Sequence, residues 1–437
     1  TRHNEVAPGQ FELAPYFESA DAAADHQQLT MTILRNTAKK HGFVCLLHEK
    51  PFAGINGSGK HVNWSVSNST QGNLLDPGDE PHENIQFLTF CAAVIRGAHK
   101  FGPLLRAVVA TASNDHRLGA NEAPPAIMSV YLGTQLEDVF DQIQQGDLTG
   151  CKPNGVMDFG VPTLPSFVKD SGDRNRTSPF AFTGNRFEFR AVGSNQSVAG
   201  PLIAMNTILA DSLDWISNKL ESELTAGTEI KPAIFSIIKE IMDEHGTVVF
   251  GGDGYSEAWH KMAVEERGLL NLPTTADALP YLKDKSVEEL FERTGVLSPT
   301  ELESRFEVYA EQYILSIEVE AELVVDIAKT LIYPAAIKYV TELTSAMTGF
   351  KELGLDFNLK IAKKAAELTN KIVDLTDELS VALTKEDFDS TESHMQYFAQ
   401  TIRPMMDEIR ECADVLEGEL ADALWPLPKY QEMLFIK

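Results

Sequence analysis

Asn56-Gly57-Ser58-Gly59-Lys60-His61-Val62-Asn63-Trp64-Ser65-Val66 is the stretch on which the fold turns. Val62, Trp64 and Val66 alternate with His61, Asn63 and Ser65. A period of two is a strand with an apolar face and a polar face. Gly57 and Gly59 stand just before it, and glycine permits unusual backbone angles and close approach of a ligand to backbone amides. Three polar side chains in register beside a glycine-rich loop suit the wall of a binding site. Residues 54–60 also read G-x-x-x-x-G-K, the opening of a phosphate-binding P-loop. That motif needs Ser or Thr next and then a helix. His61 and a strand period follow instead, so the P-loop reading fails.

A second strand of the same kind is Arg186-Phe187-Glu188-Phe189-Arg190. Period two puts both phenylalanines in the core and Arg186, Glu188 and Arg190 on the other face. Arg174 and Arg176 lie just upstream. The chain carries 37 basic and 64 acidic residues, a formal charge of −27. Such a surface repels nucleic acid and anionic lipid. Clustered arginines are the local charge reversal that an anionic ligand would need, and their forks suit carboxylate and phosphate oxygens. Glu188 between them is either a salt-bridge partner or a metal ligand.

Near the start, Asn4-Glu5-Val6-Ala7-Pro8-Gly9-Gln10-Phe11-Glu12-Leu13 reads as strand, turn, strand, with Pro8-Gly9 bringing Glu5 and Glu12 back to one side. Two carboxylates held together call for a proton or a hard divalent ion between them. The loop His116-Arg117-Leu118-Gly119-Ala120-Asn121-Glu122-Ala123-Pro124-Pro125 contributes one arginine and one glutamate and is weak by itself.

Outside these motifs, residues 1 to about 270 are rich in Gly, Pro and Asn and are expected to be strands joined by long loops with a few helices, at 22–41 and 82–110. Beyond about 284 the chain turns helical. Phe306, Ala310, Tyr313, Ile317, Ala321, Val324 and Ile327 form one seam, which Pro334 is expected to kink or end. Ile361, Ala365, Leu368, Ile372, Leu375 and Leu379 form a second, and Met395, Phe398, Ile402, Met405, Ile409, Cys412, Leu416 and Leu420 a third. Long helices with short polar loops predict an antiparallel bundle. Cys45, Cys91, Cys151 and Cys412 form no CxxC pair, which favours reduced thiols of the cytoplasm. No signal peptide and no apolar run of the ~18–20 residues needed to span a bilayer is visible. Thr1 opens the chain almost inside a motif, which reads as a fragment or processed chain.

Taken together and in order, NEVAPGQFE, NGSGKHVNWS, NEAP and NRFEFR resemble the signature segments of the glutamine synthetase family. GGDGYSEAWHKMAVEERGLLNLP and WPLPKYQEMLFIK resemble its type III class, so the resemblance runs the length of the chain. It implies an α+β fold, with an antiparallel curved sheet flanked by helices over residues 1–280 and a helical bundle over 281–437. It implies ATP-dependent ligation of ammonia to the side-chain carboxylate of glutamate through a γ-glutamyl phosphate. Two or more Mg2+ or Mn2+ ions are implied, with Glu5, Glu12, His61 and Glu188 as ligands. By the same resemblance Asn56, Gly57 and Arg190 hold glutamate, and Arg186, Asn63 and Ser65 contact the nucleotide. Arg117 and Arg176 line the substrate and the transferring phosphate, and Glu122 closes over the intermediate. A cytoplasmic homo-oligomer of stacked rings, a dodecamer, is implied too. The family's β-grasp domain, two further metal-ligating glutamates and an ammonium-deprotonating aspartate belong upstream, so this chain alone is expected to be inactive. The competing functions are a ligase joining glutamate to another amine and an inactive structural or regulatory relative.

Overall fold

The two alternating stretches do become neighbouring strands. The computed structural model describes residues 2–5, 9–52, 54–57, 59–120, 123–146, 148, 150, 156–157, 167–168, 177–356, 358–429 and 432. In chain order the elements of its first part are β1 (Arg2–Asn4), β2 (Phe11–Leu13), α1 (Ala20–Lys40), β3 (Gly59–Trp64), α2 (Ile85–Lys100), α3 (Gly102–Ala107), α4 (Ala112–Asp115), β4 (Val130–Tyr131) and α5 (Thr134–Gln145). There follow β5 (Val156–Met157), β6 (Phe167–Val168), β7 (Phe180–Phe182), β8 (Phe187–Gly193), α6 (Ala199–Thr225), α7 (Ile230–His245), α8 (Glu257–Glu265), α9 (Thr275–Ala278) and α10 (Lys285–Thr294). The helical remainder is α11 (Pro299–Ile327), α12 (Tyr333–Glu352), α13 (Lys360–Ala382), α14 (Thr391–Tyr397) and α15 (Arg403–Glu419).

The chain forms two compact units. One comprises residues 13–306. The other joins residues 2–12 to 307–437, so the division falls inside α11.

In the first unit the sheet order is β3-β8-β7-β4. β3 and β7 each pair antiparallel with β8, while β4 runs parallel to β7. The α+β expectation holds, with a smaller sheet and one parallel pair. Its apolar face is aromatic. Phe180 meets Phe187 at 5.2 Å and Phe189 at 5.5 Å between ring centroids, and Trp64 at 6.4 Å. Phe87 of α2 reaches Phe182 at 5.6 Å. Tilted and edge-on pairs such as these are the favoured aromatic geometry. Phe187 and Phe189 are fully buried, and each such burial contributes about 1.5–3 kcal/mol. Asn84 caps α2 by accepting the Phe87 amide at 3.0 Å. α2 is buried on nearly every side because α6 and α7 both pack on it.

The expectation of a loop-rich first part is corrected here. α6 and α7 occupy most of residues 199–245. Their apolar residues recur at three- and four-residue steps, and that period overrides the surrounding Gly and Pro.

In the second unit α13 packs on α12 and α15. The seam of α14 and α15 is buried as expected except at Met405. On α13 the buried line runs Ala362, Ala365, Thr369, Ile372, Thr376 and Leu379, so it is turned from the expected one and leaves Ile361 exposed. The two threonines tolerate burial because each hydroxyl donates to a carbonyl one turn back, Ala365 and Ile372. Pro334 does not end the helix. A π-helical turn over Ala328–Ile332 leads straight into α12, whose first turn holds the proline. Phe398–Ile402 and Pro404 repeat the arrangement at the start of α15. A wider turn absorbs the hydrogen bond that proline cannot donate.

Candidate active site

The β3–β8 ladder sets Asn63 opposite Glu188 and Trp64 opposite Phe187, with a register shift between Lys60 and Val62. There β8 carries one residue more than β3, so Arg190 and Ala191 lie opposite His61 alone. The His61 Nδ1 stands 3.1 Å from Glu188 Oε1. His61, Asn63 and Ser65 are exposed and Trp64 is buried, as the alternation required. On β8, Glu188 and Arg190 share the polar face yet are only 7% and 3% exposed. Arg190 forks onto the other carboxylate oxygen, with Nε and Nη2 donating to Glu188 Oε2 at 3.0 and 2.8 Å. Burial by itself would raise the Glu188 pKa. The hydrogen bond from His61 and the charge of Arg190 outweigh it and hold the carboxyl down at about 2. Glu188 is therefore an ionised acceptor at neutral pH. One step along, exposed Arg186 donates from Nε to Asn63 Oδ1 at 2.9 Å and from Nη1 to Asn185 Oδ1 at 3.1 Å.

Below this face lies a cluster that the strand pattern did not reveal. Glu49 is fully buried, accepts the Asn195 amide on Oε1 at 3.1 Å, and leaves Oε2 without a partner among the described residues. Lys60 donates through Nζ to the carbonyls of Gly193 at 3.2 Å, Gln196 at 2.8 Å and Ser194. Burial lowers its pKa to about 8. The P-loop reading is thereby closed, because this lysine ties the end of β8 to β3 and no helix follows it.

Arg117 is 2% exposed, and its guanidinium donates to Arg190 O at 2.7 Å, Val192 O at 3.3 Å and Asn114 Oδ1 at 3.3 Å. These two buried residues explain three glycines. A Cβ on Gly59 would overlap the Arg117 guanidinium, and one on Gly193 would overlap Glu49 Oε1. One on Gly57 would stand 2.6 Å from the Glu49 carbonyl oxygen. Gly57 and Gly59 are thus required by close packing, at ordinary φ, and not by unusual backbone angles. Glu49 sits in an irregular segment with no period to betray it. The glycine spacing was the available signal that something large packs there.

The sequence profile of the glutamine synthetase catalytic domain matches residues 1–129, and that of the glutamine synthetase C-terminal domain matches 233–351. A type-3 glutamine synthetase of Dictyostelium discoideum is 46% identical over 447 residues, covering 100% of this chain and 60% of that protein. This chain belongs to the glutamine synthetase family. A glutamine synthetase of Bacteroides fragilis is 40% identical over 453 residues, covering 100% of this chain and 62% of that one. The chain thus spans about 60% of the length of these two glutamine synthetases. A solved structure titled GmaS/ADP complex-Conformation 1 aligns over 72% of this chain and 55% of that one, at 18% identity and a TM-score of 0.43.

The remaining residues singled out by resemblance to glutamine synthetases are placed as follows. Glu5 and Glu12 belong to the second unit. There the Glu5 amide donates to Gln10 O at 3.1 Å, closing the expected hairpin, and Gly9 takes a φ of 66°. Glu5 and Gln10 are cross-strand neighbours, and period two returns Glu12 to their face. Asn56 is half-buried in the turn before β3. Glu122, Arg174 and Arg176 lie outside the described residues. Among the described residues no three His, Cys, Asp or Glu side chains group closely enough to hold a metal ion, and no helix is long and apolar enough to cross a membrane. Cys45, Cys91 and Cys412 are free thiols.

Proposed function

We propose that this protein joins ammonia to the side-chain carboxylate of glutamate, consuming ATP and passing through a γ-glutamyl phosphate. The observation that carries this reading is the polar face of β3 and β8, where an ionised Glu188 is held between His61 and Arg190 beside an exposed Arg186. The two donors fit a divalent cation. Their 3.1 Å separation is close to the edge of an octahedron built on ~2.0–2.1 Å bonds. Magnesium characteristically takes only one or two protein ligands and completes its shell with water and substrate phosphate oxygens. His61 and Glu188 would hold one ion, and Glu5 and Glu12 are assigned to a separate one. When bound, such ions neutralise charge on the ATP phosphates and on the phosphoryl group in transfer.

The chain's own groups supply position and charge. Arg186, steadied by Asn63 beside Ser65, presents its fork to nucleotide phosphate oxygens. Arg190 is fixed by the Glu188 carboxylate with its guanidinium toward the same face, where it pairs with the carboxylate of glutamate, as Asn56 and Gly57 do on the other strand's approach. Arg117 in its present bonds braces β8, and it reaches substrate only by exchanging its carbonyl partners. Arg176 is assigned to the transferring phosphate. Glu122 is assigned to closing the site, which protects an acyl phosphate from water. A cytoplasmic, stacked-ring homo-oligomer is part of the same proposal.

The test uses the full-length protein and measures phosphate release that depends on ATP, glutamate and ammonia together. Glu188→Ala is expected to cut turnover at least ~100-fold, the scale of losing a positioned transition-state contact. Arg186→Ala is expected to raise KM for ATP more than it lowers kcat. Undiminished turnover in Glu188→Ala overturns the assignment. Turnover with a polyamine in place of ammonia would move the reading to an amine ligase.

A further inference from the structure

Asn56 and Gly57 reach the site on a segment, residues 44–57, that lies between α1 and β3 in neither helix nor strand. Among the described residues no backbone–backbone hydrogen bond holds this segment. Side chains hold it instead. Lys50 Nζ donates to Ile55 O, and the Lys50 amide donates to His48 Nδ1 at 3.0 Å. Two more bonds tie the segment to the turn that leaves β8. Ser194 Oγ donates to Leu47 O, and the Asn195 amide donates to Glu49 Oε1 at 3.1 Å. That turn is itself fixed, because Lys60 takes the carbonyls of Gly193, Ser194 and Gln196, and Gln196 Nε2 donates to Val108 O at 2.6 Å.

Val44 and Leu46 are exposed, and Glu49 is the only buried side chain among the described residues 41–57. Glutamate is one of the residue types least often buried completely. An apolar side chain would suffice to pack a loop down; a carboxylate adds an acceptor, and the Asn195 amide uses it. The neighbouring cations do not need it as a partner, since Lys60 and Arg117 donate to carbonyls and to Asn114. A Cβ on Gly57 would stand 2.6 Å from the Glu49 carbonyl oxygen, so Gly57 rests directly on the Glu49 backbone. Whatever fixes Glu49 therefore fixes Gly57, and it does so from the end of the strand that carries Arg190.

We propose that Glu49 is a positioning residue of the glutamate subsite, whose reach to the Asn195 amide holds Asn56 and Gly57 at a set spacing from Arg190. This role rests on the ligase reading, which assigns those three residues to glutamate. Length and an acceptor oxygen are what the role requires of residue 49, and negative charge is not.

The test compares the full-length parent with Glu49→Gln, Glu49→Asp and Glu49→Ala. KM for glutamate, KM for ATP and kcat are measured, together with the rate at which chymotrypsin nicks residues 44–57. Glutamine keeps the length and the acceptor, aspartate keeps the charge but is one methylene too short, and alanine keeps neither. Glu49→Asp and Glu49→Ala are expected to raise KM for glutamate at least ~10-fold, with KM for ATP and kcat within ~3-fold of the parent. Glu49→Gln is expected to stay within ~3-fold of the parent in all three. Nicking should rise in Glu49→Asp and Glu49→Ala and not in Glu49→Gln, because a loosened segment opens to protease. The role is overturned by a parent-like KM for glutamate in Glu49→Ala, or by KM for ATP rising as much as KM for glutamate. Impairment of Glu49→Gln equal to that of Glu49→Ala, or parent-like nicking in Glu49→Ala, would overturn it too. A parent without glutamate-dependent turnover would refute the ligase reading instead, and nicking of the same four proteins would still decide whether Glu49 holds the segment.

Discussion

Replacing Gly59 by alanine adds one methyl group, and the structure says where it lands. Gly59 sits in β3 at an ordinary φ, so the backbone accepts alanine, and the whole cost arises where Cβ meets the Arg117 guanidinium. That guanidinium is almost fully buried and bonds Arg190 O, Val192 O and Asn114 Oδ1. Burial is also the first reason its pKa falls to about 10, so it has no room to retreat as a charge. Moving it sacrifices one short and two long charge-assisted bonds. At about 1.5–3 kcal/mol for a good one and less for the others, Gly59→Ala should cost about 3 kcal/mol. Arg117→Ala should cost a similar ~3 kcal/mol through unpaired carbonyls and a cavity. The two changes remove the same set of bonds, so together they should cost ~3–4 kcal/mol and not ~6. Urea unfolding of the four proteins of this cycle, read by tryptophan fluorescence, measures the coupling. Additive losses, or a Gly59→Ala protein as stable as the parent, would refute the packing explanation for this glycine.

Other consequences are as direct. His245 pairs with His99 through the two Nδ1 atoms at 2.9 Å, and burial followed by the His99, Arg96 and Lys100 charges lowers its pKa from 6.5 to about 4. The unfolded chain takes up a proton below pH 6.5 that the native state refuses, so stability is full above 6.5 and declines as pH falls toward 4. The loss should be about 1–2 kcal/mol, allowing for partial exposure, and His245→Asn should flatten that part of the urea-midpoint profile. On α13, Ile372→Ala should cost about 2–5 kcal/mol, whereas Thr369→Val should stay within about 1 kcal/mol, since its hydroxyl bonds only its own helix. Equal losses in calorimetric scans of the two variants would contradict the burial pattern. Phe189→Ala should cost about 3–5 kcal/mol and lower turnover, because the ring that anchors β8 also sets the angle of Glu188 and Arg190.

The strand pair was legible because two chemistries shared one period. Val62 and Trp64 alternate with His61 and Asn63, and Phe187 and Phe189 alternate with Glu188 and Arg190, so face and register could be read before any packing was known. Periodicity has no means of showing that both faces of β8 are covered, and Glu188 and Arg190 are buried beyond what alternation implied. It was equally blind to Glu49, an ionisable residue in an aperiodic segment whose burial depends on what Gly193 and Gly57 leave open. The turned seam of α13 escaped for the opposite reason. Threonine counts as polar in a pattern, yet a hydroxyl bonded to its own helix packs as an apolar group. At Pro334, of the two expected outcomes, a kink or an end, the end is excluded, because the ban on an interior hydrogen bond is met by widening a turn.

That widened turn has a further meaning for how this chain tolerates change in length. A π turn carries one residue more than an α turn while leaving the flanking faces in phase. Removing a single residue between Ala328 and Ile332 would let an α turn close in its place, with α12 still presenting Ala336 inward. The same deletion in the middle of α11 would rotate everything downstream by about 100° and carry the buried stripe out to water. Indels should therefore gather at the two π turns ahead of Pro334 and Pro404, which act as slack in otherwise inextensible rods.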